Sequence, residues 1–338
     1  MKQNYFRYSI WIFGSMLLCS LTFSFVIFQE HTNNYALVIH GGAGNMSRLK
    51  HDTLAMKAYR AALEEALEIG ESILKNGGKS LKAVEATIRY MEDNPLFNAG
   101  KGAVATATGT HELDASIMQG ATINAGAVGG VTRVRHPITA AIEVMNNSPH
   151  VLLVGEGANA FAESRGLEMV DPDYFNVAKK KRNEKSGSGI IAPIIDKMGT
   201  VGCVALDKMG NITAGTSTGG MSGKKWNRIG DSPIIGAGTY ANNKTCGISC
   251  TGHGEFFIRY AVAYDVSALM EYRQWSLSKS ANFVIQEKLK KAGGNGGLVG
   301  LDAKGNIVMS FNTAGMFRGY SKNGHRETFV FGKGTMKF

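Results

Sequence analysis

The chain has 338 residues, 44% hydrophobic and 19% charged, enough for one large domain or two modest ones. Its 43 glycines against 6 prolines point to tight turns and close backbone approaches, not to a flexible linker protein. The formal net charge is +10, but the one dense basic run, Lys179-Lys180-Lys181-Arg182, lies in a polar stretch; it reads as a solvated loop and nucleic acid is set aside as a partner.

Residues 1–33 stand apart. Lys2 and Arg7 precede an uncharged, mostly apolar run from Ile10 to Phe28. A short basic start before such a run reads as an export signal, and the run is also long enough for a membrane anchor. No small-x-small cleavage site follows, so both forms stay open. Either places the rest of the chain in the periplasm or outside the cell. Leu18 before Cys19 argues against lipidation.

Tyr35 to His40 reads as a buried strand ended by a glycine turn, Gly41-Gly42-Ala43-Gly44. Helical spacing follows over His51 to Lys75, stopped by Asn76-Gly77-Gly78. Ser80 is placed to N-cap a second helix with Leu81, Val84, Ile88 and Met91 on one face. Leu113, Ala115 and Ile117 alternate like a strand, and His136-Pro137 opens another helix. Val151 to Val154 is a short strand, followed by a helix from about Glu156 to Ser164. Residues of about 173–199 read as a mobile linker in front of Thr200.

The second half carries an internal echo. Gly202 to Thr213 matches Gly297 to Val308, each an apolar strand, an Asp-x-x-Gly-Asn turn and a returning strand. Two helical stretches, about Gly254–Tyr272 and Ser278–Ala292, lie between them. Sheets packed together with helices outside follow, an α+β class. Cys203, Cys246 and Cys250 read as small buried hydrophobes. Cys246 and Cys250 share a strand face about 13 Å apart, too far to bridge. No His/Cys spacing resembles a zinc site.

Thr200 follows Gly199 at the end of the linker. A threonine hydroxyl needs a base, and cutting the chain before Thr200 supplies one, its own α-amine. That amine has a pKa of about 7.7–8.0, against about 10.4 for lysine, so it is partly unprotonated near neutrality. The corner Thr216-Ser217-Thr218-Gly219-Gly220 ends the strand returning toward Thr200 and brings Thr218 beside it. Arg228 and Asp231 form either a plain surface ion pair or a zwitterion clamp, guanidinium for an α-carboxylate and carboxylate for an α-ammonium. Cys250-Thr251-Gly252-His253-Gly254 precedes a helix. It is either an ordinary turn or a set of donors for an oxyanion.

Together, Thr200-Val-Gly, Thr216-Ser-Thr-Gly-Gly-Met221, Arg228-x-Gly-Asp231-Ser-Pro, Gly236-Ala-Gly238, Cys250-Thr-Gly-x-Gly-Glu255 and Asn94-Pro-Leu-Phe-Asn-Ala-Gly100 resemble the plant-type L-asparaginase / isoaspartyl peptidase family of N-terminal-nucleophile hydrolases. Ile39-His-Gly-Gly-Ala-Gly44 and His111-Glu-Leu-Asp114 fit as well, so the resemblance spans about Tyr35 to Arg318. It implies a four-layer αββα sandwich, one domain over 34–338, self-cut between Gly199 and Thr200 into an α chain (34–199) and a β chain (200–338). It implies Thr200 as nucleophile, Thr218 as its orienting partner, and Asn98 as support. Arg228, Asp231 and Gly254 would bind substrate, with Thr251 and Gly252 as the oxyanion hole. A structural sodium would be held by backbone carbonyls of Met91, Glu92, Asn94, Phe97, Ala99 and Lys101, with no cofactor for catalysis. Members pair as dimers of αβ units. Met198, where many relatives carry a polar residue, and the leader depart from the family pattern.

The leading expectation is therefore hydrolysis of β-aspartyl dipeptides and L-asparagine, both small-molecule substrates. Its rivals are a glycosylasparaginase cutting GlcNAc-Asn, which suits the leader, and a non-catalytic secreted binding protein.

Overall fold

The computed structural model describes residues 34–46, 52–176 and 199–332, with the backbone of 336–337. The leader at 1–33, the basic run and most of the expected linker lie outside the described residues. Residues Thr32–Phe338 form one unit.

Two sheets organise it. The larger has eight strands: β1 (Ala36–Gly44), β2 (Leu113–Gln119), β3 (Ala125–Val131), β4 (Leu152–Val154), β5 (Val201–Leu206), β6 (Ile212–Thr218), β11 (Gly315–Lys322) and β12 (His325–Phe329). Their order is β12-β11-β1-β5-β6-β2-β3-β4. The smaller sheet holds β7 (Thr239–Ala241), β8 (Cys246–Gly252), β9 (Gly296–Asp302), β10 (Ile307–Phe311) and β13 (Met336–Lys337), in the order β13-β10-β9-β8-β7. The helices are α1 (Thr53–Lys75), α2 (Ser80–Asp93), α3 (Pro137–Asn147), α4 (Gly155–Ser164), α5 (Gly254–Arg259), α6 (Val262–Arg273) and α7 (Leu277–Asn282), the last continued by a π-helical turn, Phe283–Leu289.

Side chains alternate across a strand, and here both faces are buried. Leu37 and Ile39 of β1 join a cluster with Leu63 and Leu67 of α1 and Val84 and Ile88 of α2. Ala36 and Val38, one step out of phase, join a second cluster with Val299, Leu301 and Met309 of the smaller sheet. Ile248, Cys250 and Leu298 pack in a third with Val266 of α6 and Ala281 of α7. Cys203, Cys246 and Cys250 are free and buried, and burial pushes the thiols of Cys203 and Cys246 up, beyond use as nucleophiles.

The internal echo forms two hairpins, β5–β6 and β9–β10, one in each sheet. Their turns use the same chemistry. Asp207 Oδ1 accepts from the N–H groups of Met209 and Asn211, and Asp302 Oδ1 from those of Lys304 and Asn306.

Several local expectations are corrected. Gly41 to Gly44 do not turn; they continue β1 past a bulge between His40 and Gly42, because β11 still pairs with them. Lys79, not Ser80, precedes α2. Ser80 is its first residue, with its N–H held by Asp207 Oδ2 and its hydroxyl 2.9 Å from that of Thr213. The helix expected over 254–272 breaks at Ala261 (φ 47°), where the first N–H groups of α6 turn to the carbonyls of Gly236 and Ala237. The first residues of the expected linker are ordered, because Pro172–Phe175 is a 3-10 turn with Phe175 buried in the core.

Candidate active site

Hairpin register builds the centre. Val201 pairs with Ser217 across β5 and β6, so Thr200 and Thr218, each one step beyond that pair, meet at the hairpin's open end. Thr200 Oγ1 donates to Thr218 Oγ1 at 3.0 Å, and both residues are buried. Thr218 Oγ1 also accepts from Gly220 N at 2.9 Å, which fixes its lone pairs.

Asn98 holds that corner. Its Nδ2 donates to Gly220 O at 2.8 Å, its carbonyl accepts from Gly219 N at 3.0 Å, and its Oδ1 accepts from Val104 N at 3.0 Å. A Cβ on Gly219 would stand 2.5 Å from Asn98 Oδ1, so the corner needs glycine there. Thr251, at the end of β8, accepts from Thr200 N at 3.4 Å and from Ala43 N at 3.3 Å through Oγ1. Its hydroxyl proton is therefore free to point elsewhere. Gly199 takes φ +110°, and a Cβ there would collide with Gly42, so two backbones meet at the expected cut.

These residues open onto a cleft of ≈ 420 Å³ whose lining includes Thr200, Thr218, Asn98 and Gly252 together with Arg228 and Asp231. Arg228 and Asp231 do not pair with each other. Arg228 Nε and Nη2 donate to Glu255 Oε1 and Oε2 at 2.8 and 3.0 Å. Asp231 is buried, and its Oδ2 has no hydrogen-bond partner. Burial pushes its carboxyl up to about 7, against a lowering by its own backbone N–H and by Arg228. Such an orphaned buried acceptor requires an explanation, and a cationic ligand group supplies one. Gly254 stands against the clamp. A Cβ there would be 2.8 Å from both Arg228 Nη2 and Asp231 Oδ1.

Sequence reasoning gave several supporting groups no such role. Asp114, opposite Thr218 in the β2–β6 register, is fully buried and raised by burial, with Lys224 opposing the rise. Lys224 Nζ donates to Glu112 O at 2.9 Å. The Glu92 side chain accepts from Ser217 Oγ at 2.6 Å and Ile138 N at 3.0 Å, and burial lifts it to about 8. It joins the end of α2 to β6 and to the start of α3.

The residues expected around a sodium ion cluster where α2 ends. Met91 and Glu92 lie in its last turn, Asn94 caps it, and Lys101 sits in a 3-10 turn, Gly100–Gly102. The last carbonyls of a helix lack intrahelical partners. Those of Asn94 and Ala99 accept from Phe97 N and Gly102 N, while Glu92 O faces Gly100. Hard oxygen donors of this kind fit an alkali cation. Among the described residues no group of three His, Cys, Asp or Glu side chains is placed to hold a metal.

Residues 33–331 match the model of a protein family described as Asparaginase. The "Isoaspartyl peptidase" of Salmonella typhimurium is 48% identical over 306 residues, covering 88% of this chain and 98% of that relative. The "Isoaspartyl peptidase" of Escherichia coli is 46% identical over 302 residues, 86% and 94% of the two chains. The "Plant-type L-asparaginase" of Pyrococcus horikoshii is 39% identical over 311 residues, 86% and 98%.

Proposed function

Because the chain belongs to the asparaginase family, we propose that it is an isoaspartyl peptidase and L-asparaginase that cuts itself before Thr200 and works through a threonyl ester. The observation that carries this is the Thr200–Thr218 hydroxyl contact at 3.0 Å, in one cleft with the Arg228 guanidinium and the unpartnered Asp231 Oδ2.

Arg228 takes the substrate's α-carboxylate and Asp231 its α-ammonium, which leaves the β-carbonyl at Thr200. The Thr200 hydroxyl attacks that carbon while its own α-amine accepts the hydroxyl proton. Thr218 orients the hydroxyl. The carbonyl oxygen becomes an oxyanion held by the Thr251 hydroxyl and Gly252 N–H. Collapse expels the leaving amine, which takes the proton, and an aspartyl ester of Thr200 remains. Water, deprotonated by the Thr200 α-amine, then attacks the ester; aspartate leaves and that proton returns to the Thr200 oxygen.

The alternation of buried faces supports a four-layer αββα arrangement with the cleft at one end of the paired sheets. The carbonyl cluster at the end of α2 would hold a structural sodium ion that stiffens the loop carrying Asn98. Pairing of two αβ units, and export directed by residues 10–28, complete the reading. Cell fractionation with protease accessibility tests the export.

Assay of a β-aspartyl dipeptide beside GlcNAc-Asn tests the activity. Turnover of the dipeptide is expected. Preference for GlcNAc-Asn would instead make the enzyme a glycosylasparaginase.

A further inference from the structure

Beneath the cleft, a line of buried polar side chains interrupts the apolar packing between the sheets. In the larger sheet His40, Gly202, Thr216 and Ser116 fall on one register row across β1, β5, β6 and β2. In the smaller sheet Ser249 and Thr239 pair across β8 and β7. The side chains interleave. His40 Nδ1 is 2.9 Å from Thr200 O, and Nε2 is 2.9 Å from Ser249 Oγ. Ser249 Oγ is 2.7 Å from Thr216 Oγ1, which is 2.6 Å from Thr239 Oγ1. Ser116 Oγ is 2.8 Å from Thr239 Oγ1 and donates to Ser232 O at 2.6 Å. His40, Thr216, Thr239, Ser249 and Ser116 are all at 0% exposure. Gly202 leaves the gap; a Cβ there would collide with the His40 ring and the Ser249 hydroxyl.

The two ends of this line matter. One is the carbonyl of Thr200, and the other is the carbonyl of Ser232, the residue after Asp231. A carbonyl can only accept, so His40 Nδ1 carries the ring proton and Nε2 accepts from Ser249. Burying seven hydroxyl, ring and carbonyl groups between sheets is costly unless each is paired. Here Ser116 donates to Ser232 O, while Thr239, Thr216, Ser249 and His40 donate in turn toward Thr200 O, so each group is paired and Ser116 and Thr239 touch without a proton between them. Apolar residues of similar size would fill the same space without setting any distance between Thr200 and Asp231.

Resting on the proposed activity, we infer that His40 is a positioning residue for the nucleophile and that the hydroxyl line behind it sets the spacing between the acyl-transfer end of the cleft and its clamp. His40 holds the main chain of Thr200, hence the direction of its hydroxyl and amine. Ser116 holds the main chain beside Asp231.

Three variants and one spectrum test this. An Asn amide nitrogen mimics Nδ1 and a Gln amide nitrogen mimics Nε2, so H40N keeps the donor to Thr200 and H40Q abandons it. H40Q should lose about 10–100-fold in kcat with KM little changed, as small misplacements of reacting groups do. H40N should recover most of that loss. S116A should instead raise KM for the β-aspartyl dipeptide by about threefold or more and leave kcat nearly intact. Equal kcat losses in H40Q and H40N, at matched melting temperatures, would reduce His40 to packing. Nitrogen-15 spectra of histidine-labelled wild-type protein should show His40 neutral with the proton on Nδ1, and a proton on Nε2 overturns the inference whatever the kinetics. Failure of the wild type to turn over any β-aspartyl dipeptide would overturn the proposed activity instead, and the spectrum would still decide the geometry.

Discussion

Glu255 grips Arg228 along the Nε–Nη2 edge of its guanidinium. Both Glu255 oxygens accept from the guanidinium, through Nε at 2.8 Å and Nη2 at 3.0 Å, and Arg228 in turn holds the Glu255 carboxyl below its usual range. A bidentate pair fixes the plane of the guanidinium as well as its position. The remaining Nη1 edge is then offered at a set angle. Glu255→Gln keeps the shape but weakens the grip. It should raise KM for β-aspartyl dipeptides by about three- to tenfold, the modest figure reflecting a pair that solvent partly screens. Steady-state kinetics with matched folding would show it; an unchanged KM would mean that Arg228 needs no external orientation.

Arg228→Ala removes the carboxylate partner itself. Self-cleavage should continue, because the Gly199–Thr200 bond offers no free carboxylate to bind. Turnover should fall by about 2–4 kcal/mol in kcat/KM, the usual cost of losing a charge-assisted bidentate contact. A normal kcat/KM would place the carboxylate elsewhere in the cleft.

Asp231 introduces a pH dependence. Burial raises its carboxyl to about 7. As pH falls below 7 it takes a proton and can no longer receive an α-ammonium. KM should therefore rise below pH 7, approaching about tenfold per unit, while above pH 8 this term is flat. The stability term runs the other way. A carboxyl whose folded value lies above its unfolded value of about 3.9 stabilises the fold below that value, and the contribution is lost as pH rises through 7. Asp231→Asn should thus flatten the acid limb of the KM profile, bind substrate poorly at every pH, and melt higher than wild type at pH 8. A wild-type KM profile that is flat from pH 6 to 8 would rule this out.

The parts of the site legible in the chain were those set by local register. Thr200 and Thr218 face each other because a hairpin with an Asp-x-x-Gly-Asn turn fixes how far the returning strand runs, and Asp207 and Asp302 do fold that turn in the same way. Groups that reach the site from other elements were not legible. Nothing near His40 in sequence indicates that its ring lies under Thr200, 160 residues away. Glu255 was visible as a motif letter, but its bond to Arg228 depends on α5 starting against the clamp. Gly41 to Gly44 look like a turn by composition, yet β11 pairing keeps them extended. The break at Ala261 follows from carbonyls of Gly236 and Ala237, which periodicity cannot see.

Self-cleavage is the most direct consequence of the arrangement around Thr200. The purified protein should resolve into two fragments, the second beginning at Thr200. Thr200→Ala should stay whole, because no hydroxyl is left to attack the preceding carbonyl. Thr200→Ser keeps the hydroxyl but loses the methyl that limits its rotamers, so it should still cut, more slowly. Gly199→Ala adds a different obstacle. Gly199 adopts φ +110°, a region that L side chains rarely enter, and its Cβ would strike the Gly42 backbone. Processing should slow by about tenfold or more even though the new residue is removed from the mature Thr200 end. Denaturing gels with N-terminal sequencing over time would follow all three variants. Normal splitting of Thr200→Ala in a protease-free preparation would remove Thr200 from the mechanism, because the cut would then need neither its hydroxyl nor the geometry that Thr218 and Thr251 impose on it.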